Sequence, residues 1–141
     1  MYLIDTNVIS EARKGSKANR GVTDFFSKSD ASATPLYLSV LTIGELRRGA
    51  GLIRHRGDIA FANALDAWLA GILDHFADRL LPFDLEAAQV WAVLRVPDPS
   101  HLLDKQIAAT ALVNGLTVVT RNTADFAGTG VRLENPFLAA L

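Results

Sequence analysis

Residues 102–126 read LLDKQIAATALVNGLTVVTRNTADF, and this stretch decides the architecture. Its first half has helical spacing. Asp104, Ile107, Ala108 and Ala111 fall at i, i+3, i+4 and i+7, so they share one side of a helix. Ser100 is placed to cap that helix from residue 101, and Gly115 stops it. The spacing then changes: LTVVT is a short β-branched run of the kind that forms a buried strand. A helix feeding such a strand is half of a crossover unit. An acid, Asp104, interrupts a face that is otherwise small and apolar, and a second, Asp125, follows the strand.

The same alternation runs outward through the chain. Tyr2-Leu3-Ile4 reads as a first strand, followed by a helix from Thr6 to about residue 13 that Gly15 ends. A second helix is expected over 19–28 and a second strand over 36–40, opened by Pro35. Two long helical patterns come next and form a hairpin at about 41–77. In the first, Ile43, Leu46, Ala50 and Ile53 share a face. Gly57 ends it, and Asp58 caps the second, whose stripe is Phe61, Leu65, Trp68, Leu69, Ile72 and Phe76. RLLPF gives a third strand, 84–96 a helix closed at Pro97 and Pro99, and 131–133 a last strand. Strands alternating with helices predict an α/β fold in three layers, with a central, mostly parallel sheet of about five short strands and helices on both faces. No linker divides the 141 residues, so one domain spanning 1–141 is expected.

Composition narrows the function. Half the residues are apolar and 21% are charged, as in a folded globular chain. There is no cysteine, which excludes a disulfide scaffold and thiolate chemistry. No signal-peptide pattern and no run of roughly 20 apolar residues is present, so a cytoplasmic protein without a membrane span is expected. The net charge of −1 means that nucleic acid would be met by a local basic patch rather than by the whole surface.

In open α/β sheets, ligands sit beyond the carboxyl ends of the strands. Four acids lie there or nearby: Asp5 after strand one, Glu45 a turn into the helix after strand two, Asp104 ahead of strand four and Asp125 after it. Each has an ordinary structural role available. Asp5 can cap the first helix, but as a site residue it passes that duty more naturally to Thr6 or Asn7. Glu45 can pair with Arg48, Asp104 can complement the helix dipole, and Asp125 can sit in a turn. Glu45 has Leu41 and Gly49 at i±4, which predicts an inward-facing carboxylate. Carboxylates that converge repel one another, and a hard divalent cation such as Mg²⁺ relieves the repulsion. His55, His75 and His101 show no metal-ligand spacing and receive no role.

YLIDTNVIS, LSVLTIGELRRG and LLDKQIAATALVNGLTVVTRNTADF together resemble, in order, the signature segments of PIN-domain ribonucleases. The resemblance is nearest to VapC toxins of type II toxin–antitoxin modules, in the FitB-like branch, and it runs from Met1 to about residue 136. It implies an endoribonuclease dependent on Mg²⁺ or Mn²⁺, with Asp5, Glu45, Asp104 and Asp125 as catalytic and metal-binding acids. Many members carry an acid where this chain has Asn122; here Asp125 takes that role, with Asn7, Thr120 and Asn122 supporting the site. Arg47 and Arg48 are candidates for phosphate contact. The implied chemistry is in-line attack of a metal-activated water, leaving a 3′-hydroxyl and a 5′-phosphate. The resemblance also implies a homodimer, an antitoxin whose tail lies between the long helices, and operator DNA reached only through that complex. Two other readings compete. One is a PIN-like domain that binds antitoxin or RNA without cutting. The other is a haloacid-dehalogenase-like phosphatase with Asp5 as nucleophile, although its second acid would fall on Asn7.

Overall fold

The computed structural model describes residues 1–139. Five short strands, β1 (Tyr2–Ile4), β2 (Leu36–Ser39), β3 (Leu80–Leu81), β4 (Thr117–Val119) and β5 (Leu133–Glu134), form one sheet in the order β3-β2-β1-β4-β5. Every pairing is parallel, with Leu3 opposite Tyr37 on one side and Val118 on the other. Six helices cover it: α1 (Thr6–Ala12), α2 (Arg20–Ala31), α3 (Val40–His55), α4 (Ile59–His75), α5 (Leu85–Leu94) and α6 (Leu102–Asn114). The three-layer α/β architecture expected from the sequence is therefore present, with the sheet wholly rather than mostly parallel.

Strand alternation makes two cores. Ile4, Leu38 and Val119 point to one face and pack with Val8, Val22, Phe25 and Phe76. Leu3 and Val118 point to the other and pack with Ile107, Ala108, Ala111 and Phe126. Ala108, Ala109 and Ala111 are fully buried, so small side chains let α6 lie close against the sheet. The chain leaves β1 toward β2 and β3, then returns past it to β4. β1 and β4 are thus neighbours at the point where strand order reverses, the place where such sheets open a crevice.

Local signals explain most boundaries. Asn19 caps α2 by accepting from the N–H groups of Gly21 and Val22, Ser39 caps α3, and Asp58 caps α4 as expected. Gly115, at φ 66°, ends α6 in the left-handed conformation that only glycine adopts freely. The α3–α4 hairpin is fastened at Asp66, which accepts from Arg47 at 2.9 Å and from Arg54 at 2.7 Å.

Three expectations are corrected. Ser100 does not cap α6: its hydroxyl donates to Asp98 Oδ2 at 2.8 Å, and His101 occupies the cap position in a left-handed conformation without a side-chain cap bond. The last strand begins two residues later than the apolar run suggested, at Leu133. Asp5, not Thr6 or Asn7, caps α1. No helix among the described residues is long and apolar enough to cross a membrane.

Candidate metal centre

The crevice is built from the ends of β1 and β4. Asp5 follows β1 directly, and its backbone N–H still donates to Val119 O at 2.9 Å, so its position is fixed by the sheet. Its buried carboxylate faces two ways. Oδ1 accepts from the Thr6 N–H at 2.8 Å, which satisfies one open donor of α1. Oδ2 accepts from the Thr120 hydroxyl at 2.8 Å and from the Asn7 amide at 3.3 Å. Thr120 in turn accepts from the Asn122 N–H at 3.0 Å, and Asn7 Oδ1 accepts from the Arg121 N–H at 3.0 Å. Asn7, Thr120 and the Asn122 backbone thus lock the two strand ends together and aim Asp5. Asn7 spends its amide on Asp5, so it cannot play the second acid of a phosphatase nucleophile motif.

Asp104 enters from α6, one turn below His101. Asp125 enters from the short 3₁₀ turn Thr123–Phe126 that follows β4. His101 Nδ1 lies 3.8 Å from Asp104 Oδ2 and 3.8 Å from Asp125 Oδ1. The three ligand-type atoms fall within 4.8 Å of one another. Burial, followed by the charges of Asp5 and Asp125, pushes the Asp104 carboxyl up to about 6, and His101 opposes the rise. Burial also raises Asp5, against its hydrogen bonds from Thr120, Thr6 and Asn7, with Asp125 adding to the rise.

The structure therefore brings Asp5, Asp104 and Asp125 into one electrostatic neighbourhood. Glu45 is different. It is exposed on α3 and lines a groove of about 390 Å³ with Thr6, Ser10 and Arg13, outside the His101–Asp104–Asp125 cluster. The inward face expected for it is wrong because α3 packs through Thr42, Ile43, Leu46 and Ala50, while Gly49 on the Glu45 side is exposed. Among the described residues no ion pair joins it to Arg48. Arg47 is tied to Asp66, whereas Arg48 is exposed on α3.

His101 is the residue sequence reasoning missed. Its signal was its place three residues before Asp104, one helical turn, rather than any spacing to another histidine. The donor set fits a divalent ion. Two partly exposed carboxylates, Asp104 and Asp125, converge with the His101 imidazole. The buried Asp5 lies near enough that its charge, after burial, adds to the rise of Asp104, and a cation would relieve that repulsion.

Fold and site together belong to a known class. A family model for the PIN domain matches residues 2–130, and the chain belongs to that family. Within it, the curated relatives are proteins of plasmid stability and toxin systems. The chain is 40% identical to plasmid stability protein StbB of Pseudomonas syringae pv. tomato, over 99% of this chain and all of that protein. It is 35% identical to VapC ribonuclease Y4jK of Sinorhizobium fredii (97% of this chain, 98% of the other). It is 37% identical to toxin FitB of Neisseria gonorrhoeae (97% and 99%). Among solved structures it superposes on FitAcB from Neisseria gonorrhoeae with a TM-score of 0.82 at 36% identity, covering 97% of this chain and 99% of that one. On FitAB bound to an IR36 DNA fragment the TM-score is 0.78 at 33% identity, covering 97% and 96%.

Proposed function

We propose that this chain is the ribonuclease toxin of a toxin–antitoxin pair and that it cuts RNA with a divalent ion, Mg²⁺ or Mn²⁺, held by the acids at the β1/β4 crevice. One observation carries the reading: Asp5 and Asp104, 99 positions apart in sequence, sit close enough that the charge of one raises the pKa of the other, with Asp125 beside them. The relatives' printed names, a VapC ribonuclease and a toxin, support the substrate class and the biological role.

When bound, the ion would screen the carboxylates, hold a phosphate oxygen and acidify a water. The chain's own residues do the positioning. Thr120 and Asn7 hold Asp5 in one rotamer, so its carboxylate needs no reordering when an ion or phosphate arrives. Asp104 and Asp125 are partly open to solvent, which leaves a path for RNA. Glu45 lines the neighbouring groove with Thr6, where it can orient a water or a ribose hydroxyl from outside the His101–Asp104–Asp125 cluster. Arg48, exposed on α3 and without an ion pair among the described residues, is suited to a phosphate, whereas Arg47 and Arg54 are held by Asp66.

The antitoxin's place is the groove between α1, α3 and α4, whose lining includes Leu46, Ala50, Ile53, Phe61, Leu65 and Trp68. Such a wall accepts an apolar segment from a partner. The FitAB relative is solved on DNA. Here operator contact would come through the antitoxin, because this chain carries no net positive charge. We further assign it a homodimer, a single domain and a cytoplasmic location.

The deciding experiment is cleavage of defined RNAs by the purified chain with Mg²⁺ or Mn²⁺. EDTA should stop it, and Asp5→Asn should abolish it while the circular dichroism spectrum is kept. Cutting by that variant at wild-type rate would end the proposal, and a chain that binds antitoxin without ever cutting would establish the non-catalytic alternative.

A further inference from the structure

We propose that His101 is a nitrogen ligand to the ion at this site, working with Asp104 and Asp125, so that the centre is a mixed nitrogen–oxygen site favouring a first-row transition ion such as Mn²⁺ over Mg²⁺. The inference rests on the reading that the acidic crevice holds a divalent ion.

The geometry comes first. His101 Nδ1 stands at the same 3.8 Å from one oxygen of Asp104 and one of Asp125. That is too long for a hydrogen bond, so the imidazole is aimed between the two carboxylates without bonding either. Ligand atoms placed about 2.1 Å from a shared ion lie about 3.0 Å apart when adjacent and about 4.2 Å apart when opposite. The observed separations, all within 4.8 Å, need only a small closure to reach that range. Among the described residues the ring has no hydrogen-bond partner.

The backbone holds the ring there. His101 adopts φ 56°, ψ 50°, and its carbonyl accepts from the Lys105 N–H at 2.9 Å, so its position is tied to the first turn of α6. The preceding loop is pinned from below. The buried Lys105 ammonium donates to the Asp98 carbonyl at 2.6 Å, and Asp98 in turn accepts from the Ser100 N–H and hydroxyl. A ligand on a loop is useful only when the loop is fixed, and this one is fastened on two sides.

The chemistry sets the preference. Mg²⁺ binds oxygen and gives up water reluctantly, whereas imidazole adds affinity for transition ions. Removing the nitrogen should therefore weaken Mn²⁺ much more than Mg²⁺.

The test uses the full chain loaded with Mn²⁺ and pulsed electron paramagnetic resonance. Wild type should show modulation from a directly bound ¹⁴N, and labelling with ¹⁵N-histidine should change it. His101→Asn, which keeps a residue tolerant of the left-handed conformation, should lose the modulation. Its Mn²⁺ dissociation constant by calorimetry should rise about tenfold, with Mg²⁺ changing by less than about threefold. If the wild type binds Mn²⁺ without nitrogen modulation, or if the folded variant keeps both modulation and affinity, His101 is not a ligand and the site holds its ion by carboxylates alone. If the wild type binds neither ion, the metal-centre reading falls as well. The wild-type label experiment decides the matter even if the variant fails to fold.

Discussion

The Thr120 hydroxyl donates to Asp5 Oδ2 at 2.8 Å, joining the ends of β1 and β4 across 115 positions of sequence. Both groups are buried, so this bond aims the acid on which the site is built and opposes the rise that burial imposes on its carboxyl. Thr120→Val keeps the shape and removes the donor. A buried carboxylate that loses a partner costs about 1–3 kcal/mol. We expect that loss in urea unfolding, a further upward move of the Asp5 carboxyl, and a marked drop in RNA cleavage. Thr120→Ser should restore most of all three.

Asp104 makes the metal-free protein sensitive to pH in a definite direction. Its carboxyl is pushed up to about 6 from an ordinary 3.8, so between those values the folded chain holds a proton that the unfolded chain has lost. Its contribution to stability is complete below about pH 4 and is lost as the pH rises through about 6. Asp5, also raised, adds the same sign. The stability of Asp104→Asn relative to wild type should therefore grow from pH 5 to pH 7 in the absence of metal. Ion affinity should run the other way, weakening as the pH falls through about 6, because the ligands must be deprotonated.

Metal should stabilise the fold through the same residue. An ion that binds only the folded state at about a hundred times its dissociation constant adds roughly 2.7 kcal/mol. We expect Mn²⁺ to raise the melting temperature of the wild type, with EDTA reversing the gain. Asp104→Asn should melt higher than wild type without metal and show no response to it. An ion response retained in that variant would place the site elsewhere.

Glu45 separates catalysis from ion binding. It lies outside the close cluster and lines the neighbouring groove. Glu45→Gln should lower cleavage by about tenfold or more while Mn²⁺ affinity moves by less than about threefold. Parallel loss of both would make it a direct ligand.

Ala108 tests how the site depends on packing. It is fully buried where α6 meets the sheet. Ala108→Leu overfills that contact, at a cost of about 1–3 kcal/mol. Because Asp104 rides on the same helix, metal affinity should fall as well, although residue 108 touches no ion. Chemical unfolding and calorimetry on one preparation check both.

Much of this was legible in the sequence, for identifiable reasons. The change from helical spacing to a β-branched run at Gly115 marks α6 and β4, since glycine is the one residue that adopts the left-handed stop at no steric cost. Strand-end acids could be found because parallel α/β topology gathers strand ends at one edge. His101 was passed over because the histidines were weighed by their spacing to one another and not by the single turn that separates this one from Asp104; its left-handed backbone, beside the Asp98–Lys105 fastening, is not encoded by that spacing. Ser100 misled because its hydroxyl had a nearer acceptor in Asp98. Glu45 misled because only one of its i±4 neighbours, Leu41, packs against a core, while Gly49 and Glu45 itself are exposed. Asp5 was treated as either a cap or a site residue, but a carboxylate has two oxygens, and this one uses each for a different duty.

That double duty has a genetic consequence. Asparagine caps a helix as well as aspartate does. Its carbonyl oxygen can still receive the Thr6 N–H, and its amide would compete with the Asn7 amide for the lone pair of Thr120 Oγ1 that the Asn122 N–H leaves open. One nucleotide change converts an aspartate codon to an asparagine codon. A lineage under pressure from its own nuclease is thus a single step from a copy that has lost its charge at position 5 yet still folds and presents an unaltered groove to its partner. Such a copy would draw antitoxin away from active molecules without adding to the damage they do.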